Sequence, residues 1–498
     1  MKFCKRIVAL AVVCFIMLLP VLPTVVYASA NSAISNEAQE HILSQIRRAR
    51  IPNAAIAVIQ DGETSFILQD TTYDALYNIA SVSKSFTGFA VLLLEDMGLL
   101  SVSDPVNRHL PWFGVYYNGV PVPHEDITIY NLLHHTSGIS SNENRFPRAA
   151  VTETTNEFIS RLMGMELDFY PSTQFVYGNM NFVLLGLLIE AVSGQSYDEF
   201  MTQHVLHPLG LYNTFTNIQR AHATGRVIGG NDRAFFMSRS RDWSRYNHYT
   251  IVPTGGIYSG IADIARWAGI HLGVVEVSEQ FARIVQRSHM HHHETDAPFV
   301  NSTMRSIFTG MDFYAAGWVV DTDTGKIEHG GQNPGYSSIV TMFPERGTAV
   351  VVLSNLRYGS IDRLGRVALD AAVDGSFNRV GFELFEIVDA VSTIFIVVGI
   401  VYLALFIRLA IRVNKRLRSG EKIRADFSLK NIIKFPIISI AGLIFYYNFQ
   451  WIIMDTTRAS IMQNWPISFA VAAIAIWIMT LYDLFSWLAK AFIQKDAV

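Results

Sequence analysis

The sequence predicts a mixed α/β domain whose antiparallel sheet is built from both ends of the domain around an all-helical insertion. A C-terminal bundle of three transmembrane helices is expected to follow. Three observations carry this. β-Branched runs separated by turn residues lie near residues 54–68 and again near 317–354, apolar helical stretches fall between them, and three spans of membrane length close the chain. Half of the 498 residues are hydrophobic and only 16% are charged, which is too apolar for an average soluble domain.

The N-terminus explains part of that excess. A basic start at Lys2, Lys5 and Arg6 leads into an apolar run from Ile7 to about Val26, which ends in the small residues Ala28, Ser29 and Ala30. This is the pattern of an export signal over residues 1–30, cleaved after Ala28 or Ala30; an uncleaved N-terminal anchor is the alternative. The only two cysteines, Cys4 and Cys14, lie inside it. Once the signal is removed, no thiol remains for a nucleophile, a disulfide or a metal site. The net charge of −3 gives no footprint for a nucleic-acid partner.

Residues 31–378 are expected to form the extracytoplasmic domain. Ala54–Ile59 reads as a strand, Asp61-Gly62 as a hairpin turn and Ser65–Leu68 as its partner. Ser83–Met97 and Asn181–Val192 are apolar at helical spacing and stop at Gly98 and Gly194. Gly317–Asp321, Lys326–His329, Ser338–Phe343 and Ala349–Ser354 read as the returning strands, separated by the turns Asp323-Thr324-Gly325 and Glu345-Arg346-Gly347.

Residues 379–498 are expected to form the membrane domain, with spans at about 387–409, 435–454 and 466–488. Between the first two lies a loop carrying Arg408, Arg412, Lys415, Arg416, Arg418, Lys422, Arg424, Lys430 and Lys434, whereas Asp455–Trp465 is nearly uncharged. The excess of positive charge assigns the first loop to the cytoplasm, so the N-terminal domain lies outside. Asp389 and Asp483 fall near span ends, and no span carries a central ionisable residue of the kind a transporter uses.

Three short elements carry candidate chemistry. Ser81-Val82-Ser83-Lys84 opens the first long helix, and positions three apart share a helix face, so Lys84 can reach Ser81. A serine hydroxyl needs a base beside it, and a lysine with a depressed pKa can serve. Free N–H groups at the helix start can hold an oxyanion. Tyr177-Gly178-Asn179 precedes the second helix; the phenol can share a proton with Lys84 and the amide can hold a substrate carbonyl. His329-Gly330-Gly331 ends an expected strand, its glycines admit a close approach, and the N–H of Gln332 is a candidate second oxyanion donor. Taken singly, each has a bland reading: a capping serine with a solvated lysine, a turn that caps a helix, and a plain β-turn.

In this order the three elements resemble those of the serine β-lactamase and penicillin-binding-protein superfamily, which uses S-x-x-K, S-D-N or Y-x-N, and K-T-G or a variant. The Y-x-N form and the histidine of the third element are similar to the class C β-lactamase-related branch, with low-molecular-mass penicillin-binding proteins, D-aminopeptidases and esterases. Leu132-Leu133-His134-His135-Thr136-Ser137-Gly138-Ile139, Gly255-Gly256-Ile257-Tyr258-Ser259 and Asp263-Ile264-Ala265-Arg266-Trp267 agree, and the resemblance covers roughly residues 37–375. It implies a β-lactamase-like fold, Ser81 as nucleophile, Lys84 and Tyr177 as shared base, and substrate contacts from Asn179, His329, Gly331 and Gln332. It implies no cofactor. The implied substrates are cell-wall D-alanyl peptides or esters, with β-lactams as ligands, and the bilayer is the other partner. A β-lactam-hydrolysing enzyme and a non-catalytic penicillin-binding sensor are the alternatives; His329, where class C β-lactamases have lysine, favours the esterase and peptidase members. Glu166 reads as a surface residue, His134 and His135 as packing, and the His289, His291, His292, His293 run as a polar stretch rather than a metal site.

Overall fold

The computed structural model describes residues 26–28, 34–139, 153–240, 249–290, 312–381, 384–419 and 467–492. An eight-stranded antiparallel sheet organises the structure; its outermost strand, Val26–Ala28, falls within the stretch expected as export signal, and the other seven belong to the domain of residues 31–378. Its strands are β1 (Val26–Ala28), β2 (Ala54–Gln60), β3 (Glu63–Gln69), β4 (Phe313–Tyr314), β5 (Val319–Asp321), β6 (Lys326–Asn333), β7 (Tyr336–Phe343) and β8 (Thr348–Ser354). Their order across the sheet is β1-β3-β2-β8-β7-β6-β5-β4, so β2 pairs with β8 and Ala54 lies opposite Ser354.

The alternation of side chains explains why β2 and β8 are apolar at every position. Ala55, Ala57, Ile59, Val351 and Leu353 face one buried cluster, while Ala54, Ile56, Val58, Val350 and Val352 face a second. The second cluster is closed by two amphipathic helices, α1 (Asn36–Arg48) and α6 (Ile361–Leu369), through Ile42, Ile46, Leu364 and Val367.

The first cluster belongs to the insertion. Its central helix α2 (Ser83–Asp96) is buried on almost every side, from Ser83 to Leu94, as expected of a helix apolar all round. Gly88 is one reason it fits, because a Cβ there would stand 2.3 Å from the Ala316 carbonyl oxygen. Helices α3 (Asn179–Ser193), α4 (Ile261–Leu272) and α5 (Glu279–Ser288) pack around it, and Trp267 of α4 stacks on Phe86 at 4.2 Å. A small sheet joins Tyr77–Asn78 to Tyr258–Ser259 and Thr214–Phe215, which brings the segment before Ser81 against the segment after Thr254.

One expectation is corrected. The strand read as Lys326–His329 does not end at the glycines; β6 runs on to Asn333, with Gly330 opposite Ile339 and Gly331 opposite Ser338. Its pairing with β7 supplies the backbone partners that two glycines do not provide by propensity. On the other side, β5 pairs only as far as Glu328.

Beyond the domain, α7 (Leu384–Arg418) contains Glu386–Arg416, which among the described residues is the one helix long and apolar enough to cross a membrane. The expected second span lies outside the described residues, and the expected third coincides with α8 (Ile467–Phe492), so the three-helix bundle itself is not described. The two helices pack side by side. Gly399 lies against Ala475, and the rings of Tyr402 and Tyr482 meet at 5.2 Å, as do those of Phe406 and Phe485. Both residue numbers rise together along the contact, so α7 and α8 run in the same direction.

Candidate active site

Ser81 sits in a single 3₁₀ turn, Ala80–Val82, that runs directly into α2. Ala80 just before it has φ +46°, a left-handed conformation that costs about 1 kcal/mol for an L-residue. Two surroundings hold it there. Its N–H donates to Asn78 Oδ1 (3.0 Å), and the Ile79 carbonyl accepts from Ser338 Oγ of β7 (2.6 Å).

One turn into the helix, Lys84 is fully buried. Its Nζ donates to Ser81 Oγ (3.2 Å), to Asn179 Oδ1 (2.9 Å) and to the Thr254 carbonyl (2.7 Å). A buried ammonium is tolerated only when its donors are met, and here three acceptors meet them. The Asn179 oxygen also accepts from Thr254 Oγ1 (3.0 Å), which fixes the orientation of the amide.

Tyr177 closes the group. Its ring lies 4.9 Å from Lys84 Nζ, and its phenol is hydrogen-bonded to Ser81. Burial raises the phenol pKa, and the bond to Ser81 opposes the rise. The sequence elements Ser81–Lys84 and Tyr177–Asn179 are therefore brought together within hydrogen-bonding distance.

His329 is placed differently from a substrate contact. It is 1% exposed, its Nδ1 is 2.7 Å from the Gly330 carbonyl and its Nε2 is 3.0 Å from the Tyr314 hydroxyl. A carbonyl only accepts, so Nδ1 carries the proton and Tyr314 donates to Nε2. Burial pushes the His329 pKa down to about 3, the nearby Lys84 charge pushes the same way, and the Gly330 bond opposes. The ring is thus neutral and supports the cleft from beneath.

Gly331 shows how tight the cleft floor is. A Cβ there would stand 2.6 Å from the Ile79 carbonyl oxygen and 2.8 Å from the Ser81 nitrogen. The open edge of β6 therefore runs against the Ser81 backbone, where an oxyanion would be held. Gln332 turns its side chain away toward the Gly359 carbonyl (3.4 Å), and Asn333 Nδ2 ties the end of the strand to Asn78 Oδ1 (2.8 Å) and the Gly255 carbonyl (2.6 Å).

Sequence reasoning missed two members. Tyr314 orients His329 and lies in a two-residue strand that carries no motif. The Thr254 carbonyl accepts from Lys84, and a backbone acceptor leaves no mark in residue identity. His135, read as packing, is fully buried with φ +57°; its Nδ1 accepts from Asn181 Nδ2 (2.9 Å) and Gly178 N (3.4 Å), and its ring lies 4.5 Å from Tyr177. It holds the Tyr177 loop in place, and its signal was the His-Thr-Ser-Gly run. Glu166 accepts only from the Gly119 N–H (3.1 Å), at the surface. His289 is engaged with His271 Nδ1 at 2.8 Å, while His291–His293 lie outside the described residues.

Comparisons with known proteins place this arrangement. "Protein flp" of Staphylococcus aureus (strain MW2) is 28% identical over 481 residues, covering 91% of this chain and 90% of its own. "Penicillin-binding protein 4*" of Bacillus subtilis (strain 168) is 26% identical over 302 residues, 57% of this chain and 61% of its own. The octameric penicillin-binding protein homologue from Pyrococcus abyssi superposes with a TM-score of 0.55 at 23% identity, over 68% of this chain and 77% of that one. A class C beta-lactamase gives the same TM-score at 17% identity, over 69% of this chain and 99% of that one, and these two likenesses speak for the fold. The family described as Beta-lactamase matches residues 38–374, a stretch that takes in both layers of the sheet and every residue around Ser81, and the chain therefore belongs to the beta-lactamase family.

Proposed function

We propose that the protein is a membrane-anchored serine hydrolase that forms an acyl-enzyme on Ser81 and acts outside the cell on D-amino-acid peptides or esters of the cell wall. The observation that carries this is Lys84: a buried amine bonded at once to Ser81 Oγ, Asn179 Oδ1 and the Thr254 carbonyl, with the Tyr177 phenol also on Ser81.

In the reactive form Lys84 has given up one of its three protons; Ser81 Oγ then attacks the substrate carbonyl and passes its proton to the neutral Lys84 amine, directly or through the Tyr177 phenol. The Ser81 N–H and the Gln332 N–H hold the oxyanion. The pair returns the proton to the leaving amine or alcohol, and the acyl-enzyme remains. Water then attacks the ester carbonyl, gives a proton to the same pair and releases the acid, while Ser81 recovers its hydrogen. Asn179, fixed by Lys84 and Thr254, offers its amide to the substrate.

The neutral His329 favours esters and other substrates without a carboxylate beside the scissile bond over β-lactams, because it puts no positive charge on β6 to meet a β-lactam carboxylate. Anchoring is supported by α7, whose Ile387, Val391, Ile394, Ile400, Ile407 and Ile411 are exposed and whose far end carries Arg412, Lys415, Arg416 and Arg418.

The test is intact-protein mass spectrometry of the full chain in detergent with a penicillin and, separately, with p-nitrophenyl acetate, beside Ser81→Ala. An adduct or a burst of nitrophenol in wild type alone is expected. Equal labelling or turnover by Ser81→Ala would sink the assignment of the nucleophile. Rapid catalytic loss of the penicillin would transfer the reading to a β-lactamase.

A further inference from the structure

Asp389 lies in the second turn of α7 and is 1% exposed. A carboxylate so buried must be met by donors. It is: Oδ1 accepts from the Phe235 N–H (2.8 Å), Oδ2 from the Phe236 N–H (2.7 Å), and Ser468 Oγ of α8 donates to Oδ1 as well. Glu386, three residues earlier and on the same helix face, lies 3.9 Å from Arg233, whose guanidinium is 3% exposed.

All three domain residues belong to one hairpin, Asn231–Ala234 paired with Met237–Ser240. Its two turn residues, Phe235 and Phe236, have φ +55° and +62°. Such a turn ordinarily calls for Asn-Gly, and two phenylalanines there are strained. Their amides point together at Asp389, so the carboxylate holds the tip in a form the sequence disfavours.

The base of the hairpin touches the active-site strand. Asn231 N–H donates to the Gly335 carbonyl (3.2 Å) and the Asn355 carbonyl (2.8 Å), and Tyr336 O–H donates to the Ile228 carbonyl (2.7 Å). A Cβ on Gly230 would meet Gly335 Cα at 3.0 Å, so the two backbones are in close contact. Pro334 and Gly335 form the turn that joins β6 to β7, directly after Gly331, Gln332 and Asn333.

We propose that this hairpin couples the C-terminal helix pair to the cleft-facing edge of β6, with Asp389 as the positioning residue. Rupture at Asp389 releases the strained tip, and the loosened hairpin loses its grip on the β6–β7 turn. The effect on turnover rests on the hydrolase reading above; the structural coupling does not.

The test uses the full chain in detergent micelles, with hydrogen exchange followed by mass spectrometry and p-nitrophenyl acetate as substrate. Asp389→Ala is expected to raise exchange both in residues 231–240 and in residues 331–336. It should also lower kcat roughly 3- to 10-fold with KM within about twofold, and Asp389→Glu should restore part of it. Loosening confined to the hairpin, with residues 331–336 and kcat as in wild type, would overturn the proposal. If Asp389→Ala does not fold, the reciprocal measurement on wild type decides: acylation of Ser81 must change exchange at Phe235 and Phe236, because coupling runs both ways, and no change would overturn it. If wild type shows no Ser81 chemistry at all, the hydrolase reading falls, and exchange at residues 331–336 in a folded Asp389→Asn variant settles the coupling alone.

Discussion

Two buried clusters in this domain contain histidines held neutral by burial, and they differ in what they surround. Around Lys84 lie His329 and His135, and their bonds lead outward to Tyr314, Gly178 and Asn181, on the elements that frame Ser81. On the far side of α2, His271 Nδ1 and His289 Nε2 meet at 2.8 Å beneath Trp318, whose ring is 4.9 Å from that of His271. Each cluster leaves buried nitrogens without a hydrogen-bond partner, His135 Nε2 in the first and His271 Nε2 and Trp318 Nε1 in the second. Both clusters perturb pKa values in the same direction, so a shifted pKa by itself does not mark a site. Convergence on Ser81 separates the first from the second.

That contrast breaks if substitutions near Ser81 behave like ordinary core changes. Ser81→Ala and Lys84→Ala should each lower kcat by about 10⁴-fold or more, as steady-state turnover of a nitrophenyl ester would show, while the melting temperature of Ser81→Ala stays close to that of wild type. A loss confined to stability would contradict the assignment. Gly331→Ala comes next, because its Cβ would stand 2.8 Å from the Ser81 nitrogen. A fall on the order of 100-fold in kcat is expected, comparable to removal of one oxyanion donor.

Tyr314→Phe is a smaller change. It takes the donor from His329 Nε2 and leaves a buried acceptor unmet, so kcat should drop roughly 10-fold, with circular dichroism unchanged. The second cluster supplies the smallest effect on rate. His289→Gln should leave kcat within about twofold and act instead on acid stability, read from thermal unfolding between pH 7.5 and 4.5.

The sign of that last effect follows from burial. His289 falls to about 4 and His329 to about 3, both below the unfolded value near 6.5. Between those limits the unfolded chain binds more protons. Stability is therefore full above about pH 6.5 and declines as pH falls, at roughly 1.4 kcal/mol per pH unit for each such histidine. His289→Gln removes one such contribution and should flatten the slope, whereas Tyr314→Phe should leave most of it.

The parts of the site legible in the sequence were those fixed by local geometry or by pattern. Ser81 and Lys84 lie three apart on one helix, and their meeting requires only helical spacing. Tyr177 and Asn179 were reached through the order of three motifs, and the structure puts both beside Lys84. The apolar runs of β2 and β8 were equally plain, since each is buried on both faces. Illegible were the Thr254 carbonyl, which is backbone, and Tyr314, which tertiary packing carries to His329. The continuation of β6 through Gly330-Gly331 was missed for a related reason: its partner strand, and not its own residues, keeps it extended.

The pairing of β2 with β8 has a kinetic consequence. Ala54 and Ser354 are neighbours across the middle of the sheet yet stand at opposite ends of the domain sequence. A chain delivered from its N-terminus presents the β2–β3 hairpin first, with one edge unpaired and both faces apolar. Closing so long a loop is slow, and until β8 arrives that edge is open to any other strand. Maturation of this protein should thus depend on whatever shields an early hairpin, and its yield should be decided after the last strand of the sheet emerges, not while the helix behind Ser81 forms.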